Sequence, residues 1–453
     1  MTSSVKPSAV EHGGRADSPK RVVVVGGGIS GLTAAYRLLT APGIARPVDV
    51  TVVEADSRLG GKLRTTDLEG LQVEEGADSF VVRKPSAVEL CRELGLDGEL
   101  VVPGASGAHV WTGGRLVPFP RRSAFGIPAD PGELLRWPGL GRAARLRALM
   151  DLLIPPKKDE ADESIGSLVS RRLGREVAEV LVAPLLSGIH AADASRLSVA
   201  ATFPELRDWE RGHGSLIRGA RASVKAARGN RGPLFTTLWS GLSRLVTALE
   251  LAVGPGRVRT ETKVADIRSV SRRYEVRAGG ESIAADAVVL ATPAFESARL
   301  LAGLAPRASS LLREIPYAST AVVSLRYPRG TASLLPDATG FVVPPGDRVM
   351  TACTWVSRKW PRSEYDDRAV VRCYVGRAGE QRVLAMDDGE LVVGLRRELR
   401  EAAGLTGEPS AAAVHRWDDA MPQYDVGHLG RVAEIEDALT ALPGVFLTGS
   451  AYR

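Results

Sequence analysis

Arg21-Val-Val-Val-Val-Gly-Gly-Gly-Ile-Ser-Gly-Leu-Thr-Ala-Ala-Tyr36 decides the fold of this chain. Four successive valines predict a buried parallel strand, because a strand covered on both faces reads as an unbroken apolar run. Gly26, Gly27 and Gly28 come next, then Ile29, Ser30 and Gly31, and Leu32 leads into a helix. In the pattern G-x-G-x-x-G, Gly26 permits the tight turn and Gly28 lets backbone approach a pyrophosphate. Gly31 lets helix pack closely on strand. Phosphates would lie at the helix N-terminus, whose free N–H groups carry roughly half a positive charge. A second strand, Val48 to Val53, ends in Glu54, 23 residues after Gly31, where a carboxylate can accept from a ribose diol. A glycine triplet alone could be an ordinary turn. Strand, helix and Glu54 in this order predict dinucleotide binding.

Directly downstream, Glu54-Ala-Asp-Ser-Arg58-Leu-Gly60-Gly61-Lys62-Leu-Arg64-Thr65 adds a glycine pair and three cations. A plain nicotinamide dehydrogenase has no need of this. A flavin dinucleotide does, since a second backbone approach and a cation there would flank its pyrophosphate. The arrangement resembles the flavin amine oxidase, carotenoid desaturase and porphyrinogen oxidase superfamily, which carries R-x-G-G-[RK] at this place. FAD is the expected cofactor.

With 453 residues, the chain is long enough for two or three domains and a large core. Nine lysines against fifty arginines, with abundant alanine, point to a GC-rich genome. A net charge of +6 and a pI near 9.3 favour anionic partners. With no reading motif and few aromatics, the chain is not expected to bind nucleic acid. Cys91, Cys353 and Cys373 have neither metal nor disulfide spacing, and the six histidines show no ligand spacing, so metal catalysis is not expected. The cysteines suit a reducing cytosol. Residues 1–20 read as a polar, disordered leader without a signal peptide's apolar run, and no 18-residue apolar stretch predicts a membrane span.

The fold class expected is α/β: a Rossmann-type FAD-binding domain, a discontinuous α+β substrate domain and an inserted helical domain. The FAD-binding domain would take residues 21–85, 241–305 and 413–453. The helical, membrane-facing insertion would take 86–208, and the substrate domain 209–240 and 306–412. Within the insertion, Gly104 to Pro120 alternates like a hairpin and helical patterns cover Val88–Leu94, Leu134–Leu153, Ile165–Leu173 and Arg175–Leu186. Around Trp137, cations Arg142, Arg145 and Arg147 interleave with Leu146, Leu149 and Leu152. Such a helix could lie on an anionic membrane face or dock on its own protein. The chain thus reads as cytoplasmic, with peripheral contact on the inner face of the membrane as an open alternative.

Several further segments point to one family. Val73-Glu-Glu-Gly-Ala-Asp-Ser-Phe80, Pro184-Leu-Leu-Ser-Gly-Ile-His190 with Leu197-Ser198, Trp417-Asp-Asp-Ala-Met-Pro-Gln-Tyr424 with Gly427-His428, and Leu447-Thr-Gly-Ser-Ala-Tyr452 resemble the oxygen-dependent porphyrinogen oxidases of haem synthesis. Trp-x-x-Ala-x-Pro-Gln-Tyr is far more restrictive than any glycine loop. The family comprises protoporphyrinogen oxidases and the coproporphyrinogen III oxidases of Gram-positive bacteria, and the composition looks more like the second, actinobacterial kind.

The resemblance implies FAD-dependent removal of six hydrogens from a porphyrinogen in three two-electron steps, with molecular oxygen as acceptor and hydrogen peroxide as product. The cofactor carries that chemistry while the protein orients, and indeed no nucleophile–base set or carboxylate pair stands out, so no catalytic residue is nominated. By motif matching, Gly26, Gly27, Gly28, Ile29, Ser30, Gly31, Glu54, Ala55 and Lys62 would hold the ribityl-to-adenosine half of FAD. Gly76, Ala77, Asp78 and Ser79 would pass beside the flavin ring, with Trp417, Gly449 and Ser450 flanking it. Val264 would meet the adenine. Trp417 reads equally as a core aromatic beside the cofactor, and a plain core position is the lesser alternative for Val264.

The porphyrinogen is apolar in its rings and anionic at its rim, so a broad apolar cleft with basic edges is expected. Arg83 and Lys84 are the candidate substrate residues, with Arg121-Arg122 and five cations in a loop from Arg218 to Arg231 as further rim charge. Each cation singly also reads as a solvated face. Family chains continue past Ser-Ala-Tyr-Arg with a Gly-rich turn and a closing helix, so the resemblance implies further flavin-facing residues beyond Arg453. The partners expected are the porphyrinogen, oxygen and, transiently, the next haem-pathway enzyme.

Overall fold

The computed structural model describes residues 19–42, 47–227 and 232–452. Most of the expected leader therefore lies outside the described residues, as do Arg228 and Arg231. Strand β1 (Lys20–Val25) is the middle of a five-stranded parallel sheet. Helix α1 (Ile29–Thr40) follows it, and strand β2 (Val48–Val53) pairs beside it. The order across the sheet is Val258–Arg259, β2, β1, Ala287–Leu290 and Val445–Leu447. Both faces are covered, which is why four valines in a row are tolerated. Val22 and Val24 pack with Leu32, Ala35 and the helix Ser243–Val253, while Val23 and Val25 pack with the helices Ala294–Leu301, Pro306–Arg313 and His428–Leu439.

A second sheet has seven strands, in the order Ala411–Pro422, Tyr317–Arg329, Arg368–Val375, Met350–Trp355, Gly340–Val342, His109–Thr112 and Arg115–Pro118. The expected hairpin within Gly104–Pro120 is thus its outer edge. The helix Asp388–Ala403 lays Leu391, Leu395 and Leu399 on this sheet. Asp387 and Glu390 cap that helix reciprocally, and Gly404 closes it at φ 67°. Cys353 and Cys373 are opposite one another in adjacent antiparallel strands, with sulfurs 4.0 Å apart and thiols free.

The third body is helical, from Pro131 to Ala227, around a core that includes Leu134, Leu168, Leu181, Phe203 and Trp209. At its centre Arg172 is fully buried. Its Nε donates to Asp151 at 2.6 Å and its other nitrogens donate to the carbonyls of Asp151, Ile154 and Gly214. Asp151 in turn accepts from Ser215 and the Ile217 amide, so the buried charges are fully answered.

Three expectations change. Leu134–Leu153 is not one helix: Pro131–Arg136 and Arg142–Leu149 are separated at Trp137-Pro138-Gly139, because Pro138 cannot continue a helix. Trp137 is buried, with Nε1 donating to the Pro118 carbonyl, and Arg145 and Arg147 donate to backbone carbonyls. The large apolar side chains left outward are Leu135, Leu146, Met150 and Leu153. Arg175–Leu186 runs on to His190 through a wider π-type turn at Ala178–Val182, just before Pro184. The run from Arg218 is a helix, Leu216–Ala227, and not a loop. No helix of the described residues is long and apolar enough to cross a membrane.

Candidate functional site

At the top of β1 the backbone turns sharply. The Gly26 amide donates to Val53 at 2.8 Å and Gly26 sits at φ 108°. A Cβ on Gly31 would come 1.9 Å from the Gly26 carbonyl oxygen, so only glycine lets α1 start this close to the strand. At Gly28 the situation is reversed. Its φ of −69° suits any residue, and a Cβ would find only the Gly61 Cα, at 3.9 Å. The space beside Gly28 is open toward the first turn of α1, which has no side-chain cap and no acidic residue. An uncapped helix start beside open space is a cradle fitted to an anion.

The second glycine pair closes against the first. The Gly60 amide donates to the Gly27 carbonyl at 2.9 Å, and Gly28 and Gly60 pair in parallel as an isolated bridge. Gly60 and Gly61 have φ of 99° and 56°, which favour glycine. Arg58 serves this turn itself, donating to the carbonyls of Leu59 and Gly61. Lys62 is different. It is half-buried, burial alone holds its ammonium below the usual lysine range, and no carboxylate pairs with it among the described residues. Such a lysine suits a ligand phosphate.

Glu54 organises the loop before it could meet any sugar. Its Oε2 accepts from the Gly27 amide at 2.6 Å and its Oε1 from the Asp56 amide at 2.9 Å. Each oxygen keeps a second lone pair. Ala55 beside it is exposed. Val264 is buried in the same core as Val23, Val25 and Val53, and its carbonyl accepts from Arg299 at 2.6 Å.

Gly76 is wedged between two other site residues. A Cβ there would meet the Lys62 carbonyl oxygen at 1.9 Å and the Trp417 ring at 3.4 Å. The Trp417 indole donates to the Glu75 carbonyl at 2.7 Å, and its ring is edge-on to His415, whose Nδ1 lies 3.0 Å from Glu75. Ala77 is exposed. Asp78 receives Lys359 at 2.9 Å, Arg372 at 3.7 Å and the Ser79 hydroxyl at 2.7 Å. Burial opposes its ionisation, yet Lys359 and Arg372 outweigh that and hold it well below the usual carboxylate range. The Arg372 guanidinium also donates to the Gly76 carbonyl.

Gly449, at φ 129°, returns to the first loop: a Cβ on it would lie 3.9 Å from the Ser30 hydroxyl. The Ser450 carbonyl accepts from the Tyr424 hydroxyl. From Tyr424 a row of rings leads away, with His428 stacked at 4.4 Å, then His190 at 6.0 Å, Phe203 at 5.8 Å from His190, and Phe125 at 5.2 Å from Phe203. At the far end the Arg83 guanidinium stands 5.8 Å over Phe125. Burial, and then the charge of Lys84, push His190 down to about 4, so it is neutral near pH 7.

The structure therefore makes neighbours of the glycine loops, Glu54, Lys62, Gly76, Trp417 and Gly449, joins Ser450 to Tyr424, and puts Arg83 at the far end of the aromatic row with Lys84 next to it in sequence. Val264 lies in the core below. Of the other rim cations, Arg122 pairs with Asp130 and Arg221 donates to the Ala129 carbonyl. Sequence reasoning missed Lys359 and Arg372. The signal for Arg372 was present: it is a lone cation in Val370-Val371-Arg372-Cys373-Tyr374-Val375, a strand covered on both faces.

A model of the flavin containing amine oxidoreductase family matches residues 29–453. The coproporphyrinogen III oxidase of Bacillus subtilis (strain 168) is 35% identical, over 96% of this chain and 94% of that protein. The coproporphyrinogen III oxidase of Mycobacterium bovis is 35% identical over 95% and 94%. A crystal structure from Exiguobacterium sp. 255-15, described as a protoporphyrinogen oxidase, superimposes with a TM-score of 0.84 at 32% identity, covering 96% of this chain and 95% of that one.

Proposed function

We propose, from the premise that this chain belongs to the flavin containing amine oxidoreductase family, that it holds FAD and oxidises coproporphyrinogen III to coproporphyrin III with dioxygen as acceptor. Six hydrogens leave in three two-electron steps, and hydrogen peroxide is released. The observation that carries this is the pairing of the two glycine loops beside an uncapped helix start, with a row of contacting rings running from Tyr424, which is bonded to Ser450, to Arg83.

FAD supplies the ring that accepts hydride, and every other role falls to the chain. The open space at Gly28 and the N–H groups of Ile29, Ser30 and Gly31 would take the pyrophosphate, with Lys62 adding charge. Glu54 would use its remaining lone pairs on the adenosine ribose, while Val264 would pass beneath the adenine. Gly76, Ala77, Asp78 and Ser79 would border the flavin on one side, and Trp417, Gly449 and Ser450 on others. Phe125, His190 and Tyr424, backed by the buried Phe203, would offer apolar faces to a tetrapyrrole and keep water out, while Arg83 and Lys84 would meet its propionates. A neutral His190 adds no charge to that slot.

The relatives named coproporphyrinogen III oxidase support a four-propionate substrate, and the name of the Exiguobacterium protein keeps protoporphyrinogen IX as the alternative. An amine oxidase reading is weaker, since Ser450-Ala451 stands where a cysteine would give covalent flavin attachment. The outward row of Leu146, Met150 and Leu153 is where peripheral contact with a membrane face, or with the next haem-pathway enzyme, would form. The deciding experiment is oxygen-dependent growth of porphyrin fluorescence with each porphyrinogen. Faster turnover of coproporphyrinogen is expected, and equal or faster turnover of protoporphyrinogen would overturn the preference.

A further inference from the structure

A polar cleft of about 250 Å³ opens beside the site described above, lined by Trp239, Ser240, Glu364 and three residues it shares with an inner cavity. Those three are Gln72, Arg362 and Tyr365, and the inner cavity, about 30 Å³, ends at Glu74, Asp78 and Arg372. That inner volume accommodates about two waters. Arg372 is 2% exposed, yet its Nε and Nη1 have no hydrogen-bond partner among the described residues. A buried guanidinium on a cavity wall, with two nitrogens short of hydrogen bonds although one lies 3.7 Å from the Asp78 carboxylate, calls for small polar occupants. Its remaining nitrogen holds the Gly76 carbonyl, so the cavity reaches the backbone segment assigned above to the flavin.

Glu74 forms the opposite wall. The Leu242 amide donates to it at 2.7 Å and the Thr65 hydroxyl at 3.1 Å. The charged or titratable groups that face it are Arg372 from the strand Arg368–Val375, Asp78 from its own segment, and Tyr365. Burial dominates these and raises its carboxyl to about 7, so both protonation states are populated near neutrality.

The proposed reaction makes such a place useful. Turning dioxygen into hydrogen peroxide takes two electrons and two protons. Hydride delivered by the substrate supplies both electrons and one proton, and a companion proton (from nitrogen in two of the three steps, from the fourth bridging carbon in the other) departs to the medium. One proton must therefore come back, three times per porphyrin made. If the tetrapyrrole remains bound through its three steps, it blocks its own slot each time. We propose that these two cavities form a side entrance to the cofactor, through which Glu74 relays protons from solvent and hydrogen peroxide leaves while the tetrapyrrole is still seated. This rests on the porphyrinogen oxidase reading.

The test uses the FAD-loaded full chain, photoreduced without substrate and then mixed with oxygenated buffer, with and without coproporphyrin. In the native protein, coproporphyrin should slow the return of flavin colour less than about twofold, and the rate should fall as pH rises past about 7. Glu74→Gln should slow it at least about tenfold and flatten the pH profile. Gln72→Trp, at an exposed position in the shared wall, should slow it only when coproporphyrin is present. A second readout needs neither turnover nor flavin: a carboxylic acid infrared band titrating near pH 7, absent from Glu74→Gln. Native reoxidation halted by coproporphyrin, or an unchanged rate and pH profile in Glu74→Gln, would overturn the proposal. Because photoreduction bypasses the substrate, a protein that never oxidises coproporphyrinogen would sink the substrate reading while this test still reports.

Discussion

Replacing Gly28 by alanine separates a loop shaped by its own packing from one shaped by a ligand. The new methyl group meets nothing in the protein closer than 3.9 Å, and φ −69° is comfortable for alanine. The protein without FAD should therefore lose no stability, and should gain about 0.4–1 kcal/mol because the unfolded chain has less freedom to lose. The same methyl would stand where a pyrophosphate approaches the backbone. Charge-assisted hydrogen bonds are worth about 1.5–3 kcal/mol each, so losing one weakens FAD binding about 10- to 150-fold. Thermal unfolding of flavin-free protein, with flavin fluorescence titrated in parallel, reads both quantities. Native affinity for FAD in Gly28→Ala would refute the placement of the phosphates. A large stability loss would refute the claim that the space is open.

Gly31→Ala should do the opposite, disrupting the loop itself, because its methyl would sit 1.9 Å from the Gly26 carbonyl oxygen. Lowered stability even in flavin-free protein is the expected result. Asp78→Asn should cost about 3–5 kcal/mol near neutrality by leaving Lys359 and Arg372 unanswered. Because the folded carboxyl of Asp78 is depressed, its stabilisation is complete above the unfolded value of about 3.9 and fades as pH falls through the folded one. Denaturant melts between pH 2 and 7 should show a shallower acid dependence in the variant. Lys84→Gln should raise KM for coproporphyrinogen up to about fivefold without changing kcat. It should also let His190 titrate above its present value of about 4, which proton NMR detects.

Much of the nucleotide half was legible because local rules govern it. A doubly covered strand needs uninterrupted apolar residues, a tight strand-to-helix turn needs glycine, and both leave marks within sixteen residues of sequence. Glu54 was found by its spacing, but its first task, ordering the Gly27 amide, was not. Trp417 was nominated from a motif, and its indole bond to Glu75 spans most of the chain and leaves no local trace. Lys359 and Glu74 escaped for the same reason, whereas Arg372 did leave a mark, as the lone cation of an apolar strand. Their surroundings come from three separate strands and a helix start, and only assembly makes them buried. At Trp137-Pro138-Gly139 the apolar spacing stays helical, yet Pro138 stops the helix outright.

The parallel sheet at the base of the site takes its strands from positions scattered along the whole polypeptide. Ser30 and its neighbour Gly449 are separated by nearly every other element of the fold. At ribosomal speeds of 5–20 residues per second, on the order of half a minute elapses between their synthesis. During that interval the helical body can already condense, since its contacts are local, while the nucleotide cradle waits half-built. The flavin dinucleotide would then be taken up late in biogenesis, after most of the chain's own architecture has been settled.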